Sequence, residues 1–248
     1  MKFLSPAKLN LNLRVLSKRN DGYHDLETTF QLIDLFDEIS FEESDKSFGI
    51  SCDGLEIEPE NNLIFKSLNA IKNYCEIDKG IQIHLKKVIP VGAGLGGGSS
   101  NAATTLIALN KIWGLNLSRE DLVKIGKHLG ADIPIFIYGK NAIATGIGDV
   151  LLDIELRKNK FLLICPNIEV STSEMFKKLK INKLDPKHQN SFLDTLLREN
   201  KSIEEFYFSF VNDYDLKLSG TGSTLFIEYD KKDELEKILQ KIPKNWRF

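Results

Sequence analysis

Cysteine is scarce in this 248-residue chain, and Cys52, Cys75 and Cys165 form no C-x-x-C pair. Three widely spaced thiols exclude a disulfide frame and a cysteine zinc site, and predict reduced, mostly buried side chains. His84, His128 and His188 show no metal spacing such as H-E-x-x-H. Neither sign of charge dominates: 33 Lys and Arg against 35 Asp and Glu give a net charge of −2, so no electrostatic footprint of a nucleic-acid partner is present. No apolar run approaches the ~18 residues of a membrane-crossing helix, and the opening MKFLSPAKLN turns polar too early for a signal peptide. Repeats and low-complexity segments are lacking. The remainder, 42% hydrophobic and 27% charged, is the composition of an ordinary globular protein. The expectation is a soluble, cytoplasmic protein with small-molecule partners, no nucleic acid and no membrane. Nothing in the sequence sets its oligomeric state.

What is there has uneven order. Leu9, Leu11, Leu13 and Val15 alternate with Lys8, Asn10, Asn12 and Arg14, the pattern of a half-buried strand over residues 7 to 16. Asp21-Gly22 is a turn signal, and "TTFQLIDLFDEISFEE" reads as more strand. Residues 62 to 75 carry a helical period, and "GIQIHLKKVIP" is a strand with Ile81, Ile83 and Leu85 on one face. Ala102, Leu106, Leu109 and Trp113 form a helical stripe stopped by Gly114. Ser118 to Asp121 resembles a capping box whose helix ends at Gly130, and residues 135 to 154 read as strand, turn, strand. After "KFLLICP", a strand, come helical segments to about residue 210, then the strand-turn-strand "LKLSGTGSTLFIEYD" and the helix "KKDELEKILQKI". The class is α+β, with a domain boundary near residue 156 dividing 1–156 from 157–248.

The densest signal is "GAGLGGGSS", residues 92 to 100, between a strand and a helix. Glycine weakens regular structure. Its use here is to let backbone N–H groups at a helix N-terminus approach an anion closely, with the helix dipole adding to the attraction. The loop closes in G-S-S without the lysine of a Walker motif. Gly92, Gly94 and Gly97 fit G-x-G-x-x-G, but helix, turn and helix follow in place of the second strand and acidic residue of a dinucleotide fold.

"PVGAGLGGGSSNAA" resembles the ATP-binding motif of the GHMP kinases. "SPAKLNLNLRVLSKRNDGYHDLETTFQLIDLFDEI", "LGADIPIFIYGKNAIATGIGD" and "LSGTGSTLF" are similar to the other motifs of that superfamily, in the right order. They resemble most its branch that acts on a cytidyl diphosphate sugar alcohol in non-mevalonate isoprenoid synthesis. The stretch from about 178 to 210 has no obvious counterpart. The resemblance implies a two-domain fold, ribosomal protein S5 domain 2-like in the N-terminal half and ferredoxin-like in the C-terminal half. It also implies an ATP-dependent small-molecule kinase using Mg2+; other readings are a mevalonate or homoserine type kinase, or a nucleotide-binding regulator without catalysis.

From spacing alone Asp132 is a solvated or capping residue, and Lys8 is solvated or lines a cleft with Asn10 and Asn12. The resemblance makes Asp132, in G-A-D-[IV]-P, the proton acceptor and Lys8 its electrostatic partner. It assigns the phosphate loop to Pro90, Gly92, Gly94, Leu95, Gly96, Gly97, Gly98, Ser99 and Ser100, with either serine a candidate magnesium ligand. Asn62 and Lys87 match the adenosine side, although an N-cap explains Asn62 equally. Tyr23 and His24 read either as surface residues or, by resemblance, as a cytosine clamp closed by Phe176 with Thr172 nearby. Phe30 lines that pocket or the core, and Asn10 belongs to the acceptor side. Gly220 and Thr221, in "SGTGS", form a plain hairpin or, by resemblance, complete the phosphate region.

Overall fold

The computed structural model describes the chain apart from residues 46, 54–61, 186–187 and 231. Its elements run β1 (Lys2–Lys18), β2 (His24–Ser44), β3 (Phe48–Cys52), α1 (Leu63–Cys75), β4 (Gly80–Lys86), α2 (Gly97–Ile112), α3 (Arg119–Lys127) and α4 (Ile133–Tyr138). Then follow β5 (Ala142–Thr145), β6 (Val150–Asp153), β7 (Lys160–Ile164), α5 (Thr172–Lys178), α6 (Leu193–Glu199), α7 (Lys201–Phe210), β8 (Lys217–Leu218), β9 (Leu225–Tyr229) and α8 (Lys232–Leu239). Among the described residues no helix is long and apolar enough to cross a membrane.

Two compact units divide this chain, and neither is one continuous segment. The first holds Met1–Lys8, Leu32–Pro90 and Gly96–Lys140; the second holds Leu9–Gln31, Val91–Leu95 and Asn141–Phe248. The single boundary expected near residue 156 is a different division.

In the first unit β2 pairs antiparallel with β4, from Glu38 opposite Lys86 to Ser44 opposite Gly80, and β3 lies parallel on the far side of β4. The alternating apolar residues predicted to share a face are buried: Ile39 and Phe41 of β2, and Ile81, Ile83 and Leu85 of β4. Burying such a face against a helix is what makes the sheet stable. Ile64, Leu68 and Ile71 of α1, with Ala102, Leu106 and Leu109 of α2, are buried as well. The stripe on α2 ends at Gly114, whose φ of 64° accommodates the turn. Ser118 and Asp121 form the full reciprocal capping box, Ser118 Oγ accepting from the Asp121 amide and the Asp121 carboxylate accepting from the Ser118 amide.

One element differs from expectation. Residues 133 to 138 form helix α4, where strand is predicted from residue 135, and Ile133 is helical although a following proline disfavours that conformation. Pro134 occupies the first turn, where its missing N–H has no intrahelical acceptor to lose. The run IPIFIY is apolar throughout, so it carries no period to separate strand from helix.

In the second unit β2 pairs with β5, Thr28 opposite Ala144, and β5 with β6. A separate antiparallel sheet has the order β7-β9-β8. Its core joins Leu13 and Val15 of β1 to Phe192, Leu196, Phe210, Leu225 and Trp246. The backbone of Leu13 bonds both Gln189 and Ser191, at 2.8 Å each, and the Val15 amide donates to Ser191 Oγ at 3.0 Å. The predicted "SGTGS" turn does join two antiparallel strands, β8 and β9.

Candidate active site

In the first unit Lys8, on the polar face of β1, is not solvated. Lys8 is buried, 2% exposed, and its Nζ lies 3.4 Å from Asp132 Oδ2. Asp132 stands at the N-cap position of α4 with backbone already near helical geometry (φ −86°, ψ −7°), and its carboxylate makes no capping bond. The capping alternative for this residue therefore has no hydrogen bond behind it. A partly exposed carboxylate held beside a buried ammonium can take up a proton from a bound hydroxyl.

The same unit contains the second half of the glycine segment. Gly96 caps α2 at φ 72° with no side chain to fill the cap, so the first amides of α2 keep their usual vacancy for an outside acceptor. A Cβ on Gly96 would lie 2.8 Å from the Phe136 ring and 3.0 Å from Lys8 Cε; one on Gly97 would lie 2.8 Å from Lys87 Nζ. Gly98 is exposed and Ser99 half-buried, with Ser99 Oγ on the side of Gly130. Ser100 is fully buried and accepts a hydrogen bond from Ser5 Oγ at 2.8 Å, so of the two candidate serines only Ser99 reaches the surface. Pro90 is half-buried after β4. Asn62 does cap α1, its Oδ1 accepting from the Ile64 amide at 2.9 Å. Among the described residues its Nδ2 is buried without a partner. Lys87 Nζ sits 2.5 Å from Asp37 Oδ2. Asp37 was not singled out from sequence, although it lies in step with Ile39 and Phe41 on the inward face of β2.

The second unit holds the remaining predicted residues. Leu95 is a core residue. Gly92 packs under the Glu169 side chain and its carbonyl accepts from the Val170 amide. Gly94 carries the "SGTGS" turn against it: Ser219 Oγ donates to the Gly94 carbonyl at 3.0 Å, and any Cβ on Gly94 would strike the Ser219 and Gly222 backbone. The Asn10 amide donates to Ser219 Oγ, and Asn10 Nδ2 to Thr28 Oγ1 at 2.8 Å. Gly220 packs beside Gly94 and Asn10, and Thr221 Oγ1 is 3.2 Å from Thr172 Oγ1. Asn190, from the stretch without recognisable motifs, donates to the carbonyls of Leu218 and Gly220 at 2.9 Å each and accepts from the Phe192 amide. It clamps the turn from beneath.

The rings of His24 and Phe176 are in contact, centroids 5.0 Å apart and 32° from parallel. The two rings pack directly on each other, closer than the roughly 7–8 Å that a base sandwiched between them takes up. Tyr23, 58% exposed on the turn after Gly22, is the other ring of that motif. Phe176 is backed edge-on by the fully buried Phe192 at 4.7 Å. Burial, aided by the charge of Lys18, holds the His24 imidazole below its ordinary pKa and favours its neutral form. Phe30 is 2% exposed on the inward face of β2.

The family model for the GHMP kinase N-terminal domain matches residues 62–140. The 4-diphosphocytidyl-2-C-methyl-D-erythritol kinase of Marinomonas sp. (strain MWYL1) is 40% identical over 259 residues, covering 100% of this chain and 85% of that protein. The enzyme of the same name from Pseudoalteromonas translucida (strain TAC 125) is 37% identical, covering 98% and 89%. A crystal structure of 4-(cytidine 5'-diphospho)-2C-methyl-D-erythritol kinase superposes with a TM-score of 0.82 at 27% identity, over 98% of this chain and 95% of that one. A mevalonate kinase structure reaches 0.75 at 16% identity over 100% and 97%, a likeness of fold alone. With relatives this similar along its whole length, the chain belongs to the 4-diphosphocytidyl-2-C-methyl-D-erythritol kinase family of the GHMP kinases.

Proposed function

We propose that this protein transfers the γ-phosphoryl group of ATP to the 2-hydroxyl of 4-diphosphocytidyl-2-C-methyl-D-erythritol, in the methylerythritol phosphate route to isoprenoid precursors. The observation that carries the reading, beside family membership, is the Lys8–Asp132 pair: a buried ammonium 3.4 Å from a carboxylate that caps nothing. Phosphoryl transfer needs held phosphates and an oriented hydroxyl more than covalent help from the protein. Asp132 accepts the proton of the attacking hydroxyl, and Lys8 orients Asp132 and favours negative charge on the reacting oxygens. The amides at the start of α2 hold phosphate oxygens. Tyr23 and Phe176 supply faces for the cytosine, and neutral His24 can both give and accept a hydrogen bond at its edge.

Magnesium belongs to the reading as the counter-ion of ATP. Such a cation is bound through phosphate oxygens with one or two protein oxygens. Ser99 is the donor that would complete its shell, and the ion would supply neutralisation of phosphate charge. The reading carries with it a cytoplasmic enzyme whose partners are ATP and the cytidyl alcohol.

A coupled assay for ADP tests the proposal. Turnover is expected with ATP and the cytidyl diphosphate alcohol, and none with mevalonate or homoserine. Equal turnover of mevalonate would sink the acceptor assignment.

A further inference from the structure

Asp37 is a fully buried carboxylate with a complete set of donors. Oδ1 accepts from the amides of Val88 and Ile89 at 2.7 and 2.8 Å. Oδ2 accepts from Lys87 Nζ at 2.5 Å and from Asn101 Nδ2 at 2.9 Å. A charge taken out of water is tolerated only when paired and hydrogen-bonded in this way. What matters is where the four donors stand. Lys87, Val88 and Ile89 are the residues that leave β4 toward the glycine segment, and Asn101 is on α2, just beyond that segment. Asn101 Nδ2 also donates to Ser5 Oγ, which donates to Ser100 Oγ. One carboxylate thus ties the exit of β4 to the entry of α2.

Lys87 is the consequential partner. Its Nζ lies 2.8 Å from the point that a Gly97 Cβ would occupy, so the ammonium is held against the first residue of α2. The segment GGSSNAATTLIALNKI of α2 contains no acidic side chain that could hold the lysine instead. We infer that Asp37 is a positioning residue for ATP: without touching the nucleotide, it fixes Lys87 at Gly97 so that lysine and helix terminus present their positive potential together. The inference rests on the ATP-dependent reading above.

The test is Mg·ATP affinity measured by calorimetry, without acceptor, on wild type, Asp37→Asn, Lys87→Met and the double variant. An asparagine at 37 still offers an oxygen to the amides of Val88 and Ile89, but turns an NH2 group toward Lys87 and Asn101, two donors. Affinity should weaken about tenfold in Asp37→Asn, and the double variant should bind no more weakly than Lys87→Met, since coupled residues do not add. In turnover, the KM for ATP should rise with kcat at saturating ATP and the acceptor KM nearly unchanged; a merely structural role would lower the melting temperature and leave that split absent. ATP affinity within about twofold of wild type in folded Asp37→Asn would overturn the inference. If Asp37→Asn does not fold, the double variant, which removes the buried charge pair together, decides: binding about tenfold weaker than Lys87→Met would refute a route through Lys87. Wild type that binds ATP but does not turn over the cytidyl alcohol would count against the acceptor assignment alone.

Discussion

Asp37 and Asn190 do the same mechanical job in different units, one with a charge and the other without. Asp37 gathers an ammonium, two amides and a carboxamide beneath the start of α2, while Asn190 gathers two carbonyls and one amide beneath the "SGTGS" turn. The rest of each neighbourhood follows suit. The first unit adds the Lys8–Asp132 pair; the second adds ring on ring, His24 on Phe176 on Phe192. Charge-assisted bonds are shorter, stronger and more directional, which suits a triphosphate that must be held for in-line transfer. Stacking faces tolerate sliding and suit a flat base. The difference predicts that variants of the two units fail in separable ways.

The largest break should come from the charged unit. Asp132→Asn keeps size and loses the proton acceptor, so kcat should fall by about 10²–10⁴ with ATP affinity little changed. Lys8→Ala should also lower kcat, and the double variant should lose less than the product of the two. Steady-state kinetics with a melting curve on the same preparation decide this; an early-melting variant with normal turnover would make Asp132 a structural residue only. Next, Gly97→Val puts a branched side chain where Lys87 Nζ lies. A side chain there moves the ammonium and keeps phosphate oxygens from the first amides of α2, so ATP should bind more weakly by about tenfold or more while the acceptor KM holds. An unchanged ATP affinity in folded protein would remove Gly97 from the cradle.

The second unit should respond in the opposite sense. Phe176→Ala should raise the acceptor KM by the worth of one stack, about 1–3 kcal/mol, and leave ATP affinity alone. A collapse of ATP binding instead would reverse the assignment of the two sides. The smallest effect concerns pH. Because His24 sits below its ordinary pKa of about 6.5, the unfolded chain takes up that proton first, and stability falls as pH drops through this value. His24 is only half-buried, so the loss should be slight: the melting temperature of His24→Gln should fall a little less than that of wild type between about pH 7.5 and 5.5. Identical slopes would mean that the imidazole feels no such burial.

Local chemistry made much of this legible from sequence. The glycine segment, the Ser118–Asp121 box and the Asn62 cap each depend on residues within a few positions of one another, where side-chain type dictates geometry. The paired strands of β1 and β2 show in their alternation. Helix α4 was not legible, because six apolar residues around a proline have no period and only burial on all sides chooses the helix. Nor did Lys8 and Asn10 announce their burial: a polar residue at an inward position looks like an outward one until its partner, 124 positions away in the case of Asp132, is known. Asp37 left one readable trace, a carboxylate in step with Ile39 and Phe41. Asn190 left none, since its role is defined by carbonyls that any sequence supplies.

The way β1 is shared has a consequence for synthesis. Leu13 and Val15 complete their hydrogen bonding and their core only with Gln189, Ser191 and Phe192, and Val15 and Ser191 are 176 residues apart. At the usual pace of translation that separation is roughly 9–35 s. For most of it the nascent strand has its hairpin partner β2 but not the later segment that completes its core, which is the period in which a holdase chaperone has most to protect.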